Sequence, residues 1–191
     1  MILPVYAYGN SVLKKKGAVI DAHYEHLHQL IDDMWETMNH AQGVGLAAPQ
    51  IGLSIRLFVV DTTKFHDEES DEPIAELGFK KVFINAEKIA EGGERWAYEE
   101  GCLSIPDIRG DVERPAQIRL KYLDEHFMPH EEIFTGMNAR VIQHEYDHID
   151  GILFLDHLKP LKRRLIQRKL ENIKKGKVDI SYKMKFLEPK R

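Results

Sequence analysis

Apolar residues near the beginning of the chain recur at helical spacing. Between residues 24 and 42 they fall three or four positions apart, which predicts an amphipathic helix. Gly43 follows the last of these positions and is placed to end the helix. Met34 and Met38 lie on the apolar face, so we expect both to fill the core rather than to take part in chemistry.

Two further segments return to helical spacing in the last third of the chain. Residues 137–149 form the first of them, and Gly151 is placed to close it. Residues 161–174 form the second, which is rich in lysine and arginine and is followed by Gly176. The pattern therefore predicts three helices in all.

Short runs of β-prone residues occupy the chain between the first two helices. We predict strands at residues 57–60, 82–84, 117–123 and 132–134. Glycine and proline residues separate these runs and are expected to break them, namely Gly92, Gly93, Pro106, Gly110 and Pro115. Residues 178–186 alternate strictly between apolar and polar side chains, which predicts a terminal strand.

The order of these elements indicates an α+β fold, because helices and strands are segregated along the chain. We expect small antiparallel or mixed β-sheets packed around a central helix at residues 137–149. An N-terminal helix, a C-terminal basic helix and the terminal strand complete a single domain over residues 1–191. The acidic run at residues 66–73 ends in proline and has no periodicity, so it predicts an exposed loop.

Cysteine content and hydropathy narrow the class of protein. One cysteine excludes an intramolecular disulfide. No apolar run approaches the roughly 18 residues that a membrane span needs. The first ten residues lack the basic and apolar regions of a signal peptide. We therefore expect a soluble cytoplasmic protein.

The net charge of −4 conceals an asymmetry along the chain. Residues 159–191 carry 13 basic and three acidic side chains, which leaves 14 basic and 28 acidic side chains for the rest. Such a basic tail is typical of a contact with nucleic acid or another acidic partner, and equally of a solvated helix face. The sequence keeps both interpretations open.

His144, Glu145 and His148 have the H-E-x-x-H spacing and fall inside the second predicted helix. Histidines four positions apart project from one face of a helix, so both imidazoles can reach one metal ion. Glu145 would lie close enough to exchange protons with a water on that metal. The apolar neighbours Val141 and Ile149 favour a helix buried on one side over a solvated pair of histidines.

The third ligand decides the class of enzyme, because a catalytic metal usually has three protein ligands. The metzincin protease pattern needs a histidine where this chain has Phe154, which cannot bind a metal. Glu171, on the third predicted helix, is the candidate for a thermolysin-like protease. Cys102 offers a thiolate, which suits a borderline-soft divalent metal.

Residues 43–50 form a third segment of interest, with the sequence Gly-Val-Gly-Leu-Ala-Ala-Pro-Gln. Gly45 permits the backbone of an extended ligand to approach closely. Gln50 offers an amide N–H that can bond a developing oxyanion. A loop of small packing residues after a helix is the alternative interpretation.

Together these segments resemble the motifs of the peptide deformylase family. The motifs are G-h-G-h-A-A-x-Q, E-G-C-h-S and H-E-h-D-H, where h is apolar. Residues 43–50, 100–104 and 144–148 match them in the same order and spacing. The resemblance extends from residue 3 to about residue 175.

The resemblance implies a metallohydrolase that removes the formyl group from the N-terminal formylmethionine of newly made polypeptides and releases formate. It implies one divalent metal held by Cys102, His144 and His148. That metal would be Fe²⁺ in the cell, whereas Zn²⁺, Ni²⁺ or Co²⁺ can replace it in purified family members. A water activated by the metal would attack the formyl carbon, with Glu145 as general acid and base.

The resemblance also assigns groups that contact the substrate. The Gln50 side-chain amide and the Leu103 backbone N–H would stabilise the oxyanion. The peptide would add as a strand to the first motif, with its methionine side chain in an apolar pocket. The residues expected to bind it are Val44, Gly45, Glu99, Arg109, Met137 and Val141. Asp147 and Arg114 would form an ion pair behind the site.

The remaining expectations concern partners and competing functions. Some bacterial deformylases dock near the ribosomal exit tunnel through a basic C-terminal helix, which resembles residues 161–174 here. A transient ribosome contact and no membrane contact are therefore expected. A zincin-type protease and a ribosome- or RNA-binding protein without a metal are the alternatives from other classes.

Overall fold

The computed structural model of the chain describes residues 1–63 and 78–187, and the acidic run at residues 66–73 lies outside them. Its α-helices are α1 (Leu27–His40), α2 (Gly136–Ile149) and α3 (Pro160–Lys174). Its strands are β1 (Val5–Tyr6), β2 (Gly45–Ala47), β3 (Leu57–Asp61), β4 (Lys80–Cys102), β5 (Ile105–Leu123), β6 (Pro129–Thr135) and β7 (Met184–Lys185).

Five of the strands form one antiparallel sheet in the order β2-β3-β4-β5-β6, so that β2 lies at an edge. The other two, β1 and β7, form a separate parallel pair. Helices and strands are segregated along the chain, which confirms the predicted α+β class. No helix in the described ranges is long and apolar enough to cross a membrane.

Strand β3 is buried on both faces and separates two parts of the core. Leu57 and Val59 belong to the cluster that α1 covers, whereas Phe58 and Val60 belong to the cluster that α2 covers. This division follows from the pleat, which sends successive side chains to opposite faces. Because α2 packs against this sheet, the candidate site residues on α2 are held on a rigid support.

The predicted first and second helices both form, with small changes at their ends. Helix α1 starts at Leu27 rather than near residue 24, because His26 adopts a left-handed conformation with φ of 57°. Met34 and Met38 are fully buried in the core, as predicted. Helix α2 is followed by Gly151 with φ of 74°, a conformation that favours glycine at a helix end.

The glycines and prolines that were expected to break the central strands lie within them, so that prediction is wrong. Strand β4 runs through Gly92 and Gly93, where its register with β5 shifts. Strand β5 runs through Pro106, Gly110 and Pro115. Before residue 117, β5 pairs with β4 but not with β6. On the unpaired side of the strand no hydrogen-bond donor is needed, so a proline, which lacks a backbone N–H, can be accommodated.

The terminal strand is also much shorter than predicted. Pairing is limited to Met184 and Lys185 in β7, although the alternation of half-buried and exposed residues extends over 178–187. Alternation predicts a half-buried extended segment, but a strand also needs a hydrogen-bonding neighbour. Strand β1 is only two residues long and supplies that neighbour for two residues.

Candidate metal centre

Helix α2 and the end of β4 bring two histidines and the cysteine together. His144 and His148 lie one turn apart on α2, with ring centroids 5.1 Å apart. Cys102 is the last residue of β4, and its Sγ lies 3.3 Å from Nε2 of His148. One ligand atom from each of the three residues lies within 4.8 Å of the others. The arrangement is compact enough for all three to bind one ion.

The donor atoms fit a transition metal. A thiolate and two imidazoles are ligands of Zn²⁺ and of other borderline divalent ions, rather than of Mg²⁺ or Ca²⁺. Within residues 1–63 and 78–187 this is the one group of three histidine, cysteine or acidic side chains close enough to hold a metal. Three protein ligands would leave a coordination position open for chemistry, as catalytic sites require.

The other candidate for the third ligand lies outside the cluster, and the residue at the metzincin ligand position is apolar. Glu171 is on α3, where its partly exposed carboxylate pairs with Lys174 at 2.7 Å. Phe154 is buried, and its ring stacks against the His144 ring with centroids 6.2 Å apart. Phe154 therefore packs against a candidate ligand, and Glu171 takes no part in the cluster.

Glu100 orients His144 from behind. Nδ1 of His144 donates to the Glu100 carboxylate at 2.9 Å, which leaves Nε2 for the metal cluster. Arg114 donates to both carboxylate oxygens of Glu100 at 2.7 and 3.0 Å, and Arg140 donates to one of them at 2.9 Å. Burial alone would raise the pKa of Glu100, but the hydrogen bonds from His144 and Arg114 lower it well below its usual range. Glu100 is therefore a carboxylate at neutral pH.

The expected ion pair of Arg114 with Asp147 is present and buried. Their side chains are 5% and 13% exposed, and Arg114 donates to Asp147 at 2.8 Å. His157 also contacts the Asp147 carboxylate, at 2.7 Å. Burial opposes ionisation of Asp147, but the hydrogen bond with His157 and the charge of Arg114 lower its pKa. Arg114 thus links the strand that ends in Cys102 with the helix that carries the histidines.

Glu145 faces the cluster from the same helix and is 4% exposed. Its Oε2 is buried and has no hydrogen-bond partner among the described residues. A methyl group on Gly45 would overlap this carboxylate, so the absence of a side chain there makes room for it. Burial raises the pKa of Glu145 to about 7, which suits a group that both takes up and releases a proton near neutral pH.

Gln50 also lies close to Cys102. Its Oε1 accepts a hydrogen bond from the Ala47 N–H at 2.8 Å, which fixes the orientation of the amide. Its Nε2 lies 3.4 Å from the Cys102 Sγ and 3.4 Å from the Ser104 hydroxyl. The amide N–H groups therefore point towards the cluster, where they can donate to a negatively charged oxygen.

A cavity of about 710 Å³ opens in front of these residues. It is lined by all six predicted substrate-binding residues, namely Val44, Gly45, Glu99, Arg109, Met137 and Val141. Cys102, His144, Glu145, Gln50 and Leu103 line the same cavity. The structure thus brings together every predicted site residue, since the buried His148 lies 3.3 Å from the Cys102 Sγ.

Sequence reasoning missed several residues of this cavity. Arg140 lies four positions before His144, and this helical spacing could have revealed it. Tyr98 lines the cavity from β4, where it alternates with Trp96. The C-terminal segment Asp179, Ile180, Ser181 and Tyr182 also lines the cavity, and no local pattern points to that position.

A cysteine and two histidines close enough to hold one metal, beside a buried glutamate that lines the same cavity, define a metal-dependent hydrolase. The profile of the polypeptide deformylase family matches residues 2–164. The chain belongs to this family, and its activity is that of a peptide deformylase.

Relatives and solved structures agree with this assignment. The peptide deformylase of Christiangramia forsetii is 54% identical over 194 aligned residues, which cover 100% of this chain and 99% of that protein. The peptide deformylase of Flavobacterium johnsoniae is 53% identical with the same coverage. A crystal structure of a peptide deformylase from Legionella pneumophila has a TM-score of 0.78 and 38% identity, and covers 91% of this chain and 96% of that one.

Replacing Glu100 with glutamine tests its role behind His144. Glu100→Gln removes the negative charge that three buried cationic or hydrogen-bonding partners share. We expect metal affinity to fall by about 10- to 100-fold, as for other changes to groups that orient a ligand. Competition with a chelator of known affinity measures the change. Glu113→Gln, on an exposed position of β5, is the control. An unchanged affinity in Glu100→Gln would contradict the orienting role.

Proposed function

We propose that the chain acts on the N-terminal formylmethionine of newly made polypeptides, as a single catalytic domain over residues 1–191. The described part of its basic C-terminal region contains helix α3 and strand β7. The observation that carries the assignment of roles is the position of Glu145. Its buried carboxylate lies beside Gly45 at the base of the cavity, on the helix that also carries two metal ligands.

Cys102, His144 and His148 would hold one divalent metal, which we propose is Fe²⁺ in the cell by likeness to the family. When bound, such an ion supplies a water of lowered pKa and polarises a carbonyl group. Thiolate and imidazole donors are compatible with Fe²⁺ as well as with Zn²⁺, Ni²⁺ and Co²⁺. The ion pair of Glu100 with its arginines lies behind the ligands, where it fixes the His144 ring.

Glu145 moves the protons of the reaction. Its carboxylate accepts a proton from the attacking water and delivers it to the nitrogen of the leaving amine, so that formate departs and a free N-terminus remains. A pKa of about 7 suits both directions of transfer. The positive charge of a bound metal would lower this value and favour the proton-accepting form.

Gln50 and Leu103 stabilise the negative charge that develops on the formyl oxygen. The Nε2 of Gln50 lies beside Cys102, and the Leu103 backbone follows the same ligand directly. Two fixed donors beside the Cys102 ligand can bind an oxyanion without reorganising at the moment of reaction. We assign the Gln50 side-chain amide and the Leu103 N–H to this task.

The peptide would bind along β2, which is an edge strand that borders the cavity. An edge strand presents unpaired N–H and C=O groups to which an extended peptide can add. Val44 and Gly45 lie at the start of this edge. Met137 and Val141 lie one helical turn apart on α2 and would form the pocket for the methionine side chain. Glu99 and Arg109 are exposed at the rim, where the rest of the peptide passes.

Replacing Glu145 with alanine tests the assigned proton transfer. Glu145→Ala leaves the three metal ligands in place, so we expect bound metal to stay stoichiometric. Formate release from formyl-Met-Ala-Ser should fall by about 100- to 10,000-fold, the usual contribution of a general acid and base. Metal analysis and a formate assay on the same preparation give both values.

Glu171→Ala is the matched control, since Glu171 is the ligand that a thermolysin-like protease would need. We expect this variant to keep both metal and formate release. Loss of metal in Glu171→Ala, or cleavage of unformylated Met-Ala-Ser at an internal bond by the wild type, would favour the protease instead. Formate release without any bound metal would contradict the metal-dependent assignment.

Adding a methyl group to Gly45 tests the close contact with Glu145. The methyl of Gly45→Ala would overlap the end of a flexible side chain, so we expect the carboxylate to move while the fold is retained. Such a displacement should lower formate release by about 10- to 100-fold. Gly92→Ala is the control, because its nearest neighbour would be 3.9 Å from the new methyl. Wild-type activity in Gly45→Ala would show that Glu145 needs no such space.

The exposed face of α3 supports a transient contact with the ribosome in the cytoplasm. Ile166, Leu170 and Ile173 anchor one face of this helix in the core. The other face exposes Lys162, Arg163, Arg164, Arg168 and Lys169. A row of cationic side chains on a fixed helix complements the phosphate backbone of RNA, and such attraction weakens as salt rises.

Reversing two of these charges tests the ribosome contact. We expect the double variant Arg164→Glu with Arg168→Glu to lose most of its co-sedimentation with ribosomes at low salt. Its formate release should remain unchanged, since α3 does not line the cavity. The control is Arg95→Glu with Arg119→Glu, which makes the same change of net charge on exposed sheet positions. Equal loss of co-sedimentation in both variants would show that ribosome binding depends on net charge alone and would contradict a specific role for α3.

A further inference from the structure

The C-terminal segment returns from α3 to the mouth of the cavity. After α3 the chain turns at Gly176, whose φ is 65° and whose N–H bonds to the Ile173 carbonyl at 3.0 Å. Strand β7 then pairs in parallel with β1. Between this turn and β7, residues 179–182 run along the cavity and line it. The family profile ends at residue 164, so this segment lies beyond the part of the chain that the profile covers.

The two-stranded sheet braces the turn that follows the cysteine ligand. Leu103 and Ser104 connect β4 to β5. The hydroxyl of Tyr182 donates to the Leu103 carbonyl at 2.7 Å. The N–H of Tyr8, just after β1, donates to the Ser104 carbonyl at 2.8 Å. Two consecutive carbonyls of the turn are thus held by the two neighbouring chain segments of one small sheet.

The segment that carries Tyr182 is itself held in place by backbone and side-chain contacts. The Val5 N–H bonds to the Lys183 carbonyl at 2.9 Å, directly after Tyr182. Met184 and Phe186 pack against the core cluster that α3 also covers. Tyr182 is half-buried, so its hydrogen bond to Leu103 is sheltered from competition with water.

We propose that Tyr182 is a positioning residue for deformylation, which holds the Leu103 turn so that the Leu103 N–H faces the developing oxyanion. This inference rests on the proposed role of that N–H. The Leu103 side chain packs close to Gly43, so its carbonyl, held by Tyr182, supplies a second fixed point. The carbonyl and the side chain both branch from the Leu103 Cα, which also carries the backbone nitrogen, so fixing both restricts movement of the Leu103 N–H.

A misplaced Leu103 N–H should destabilise the transition state rather than weaken substrate binding. Negative charge is larger on the oxyanion than on the oxygen of the ground-state formyl group, so a misplaced N–H costs more in the transition state. Loss of the Tyr182 hydroxyl should therefore lower kcat and leave KM nearly unchanged. A purely structural role would instead lower thermal stability and leave kcat per bound metal constant.

Tyr182→Phe is the direct test, because it keeps the ring and removes the hydroxyl. We expect kcat for formyl-Met-Ala-Ser, normalised to bound metal, to fall about three- to tenfold, the effect of one hydrogen bond. KM should stay within about twofold of wild type. Hydrogen exchange of the backbone in residues 102–106 should be faster than in wild type, which is a readout independent of activity.

Tyr6→Phe is the matched control from the same small sheet. Its hydroxyl bonds to the Lys185 ammonium at 3.0 Å and does not contact the turn. We expect this variant to match wild type in kcat and in hydrogen exchange of residues 102–106. Equal kcat in Tyr182→Phe and Tyr6→Phe, or a rise in KM at constant kcat, would overturn the positioning role.

The same experiment separates this inference from the proposed function on which it rests. Wild-type enzyme that releases no formate would overturn the proposed function and the positioning role together. If the wild-type enzyme is active and Tyr182→Phe has an unchanged kcat, only the positioning role is overturned.

Discussion

The buried carboxylate of Glu100 is the interaction on which the rest of the site depends. It lies where β4, β5 and α2 meet, and it accepts hydrogen bonds from Arg114, Arg140 and His144. An isolated buried charge would be strongly unfavourable, and the hydrogen bonds from His144 and Arg114 lower the pKa of Glu100 so that it stays ionised. In return it joins three elements at one point and fixes the ring of a metal ligand. The arrangement couples folding of the sheet to assembly of the metal centre.

Local periodicity explains why short motifs can supply so much of this centre. Glu100 and Cys102 are two positions apart on β4, with the exposed Gly101 between them, so both side chains turn inward. Arg140, His144 and His148 are each four positions apart on α2 and share one face. The strand period of two and the helix period of about 3.6 therefore bring an orienting carboxylate and three ligands to one site from two short segments of the sequence. Gly45 completes the arrangement from a third segment by leaving space for Glu145.

The sequence predicted the helices and the motif residues because both depend on nearby positions. Met34 and Met38 were expected in the core and lie there, and Cys102 was expected near the histidines and lies beside them. The lengths of β4 and β5 were not predicted, since glycine and proline rules are local whereas strand pairing is not. Pro115 is tolerated because β5 has a partner on one side only at that position. Whether a proline breaks a strand thus depends on a neighbour that the local sequence does not reveal.

Tyr182 marks the limit of such local reasoning, because 79 positions separate it from the Leu103 carbonyl that it bonds. A parallel pair of two-residue strands is too short to be stable alone. Further contacts therefore help to hold the C-terminal segment in place, among them the packing of Met184 and Phe186 and the Tyr182 hydrogen bond. Order in this segment and order in the turn after Cys102 are consequently linked, so the active site extends to a part of the chain far beyond its sequence motifs.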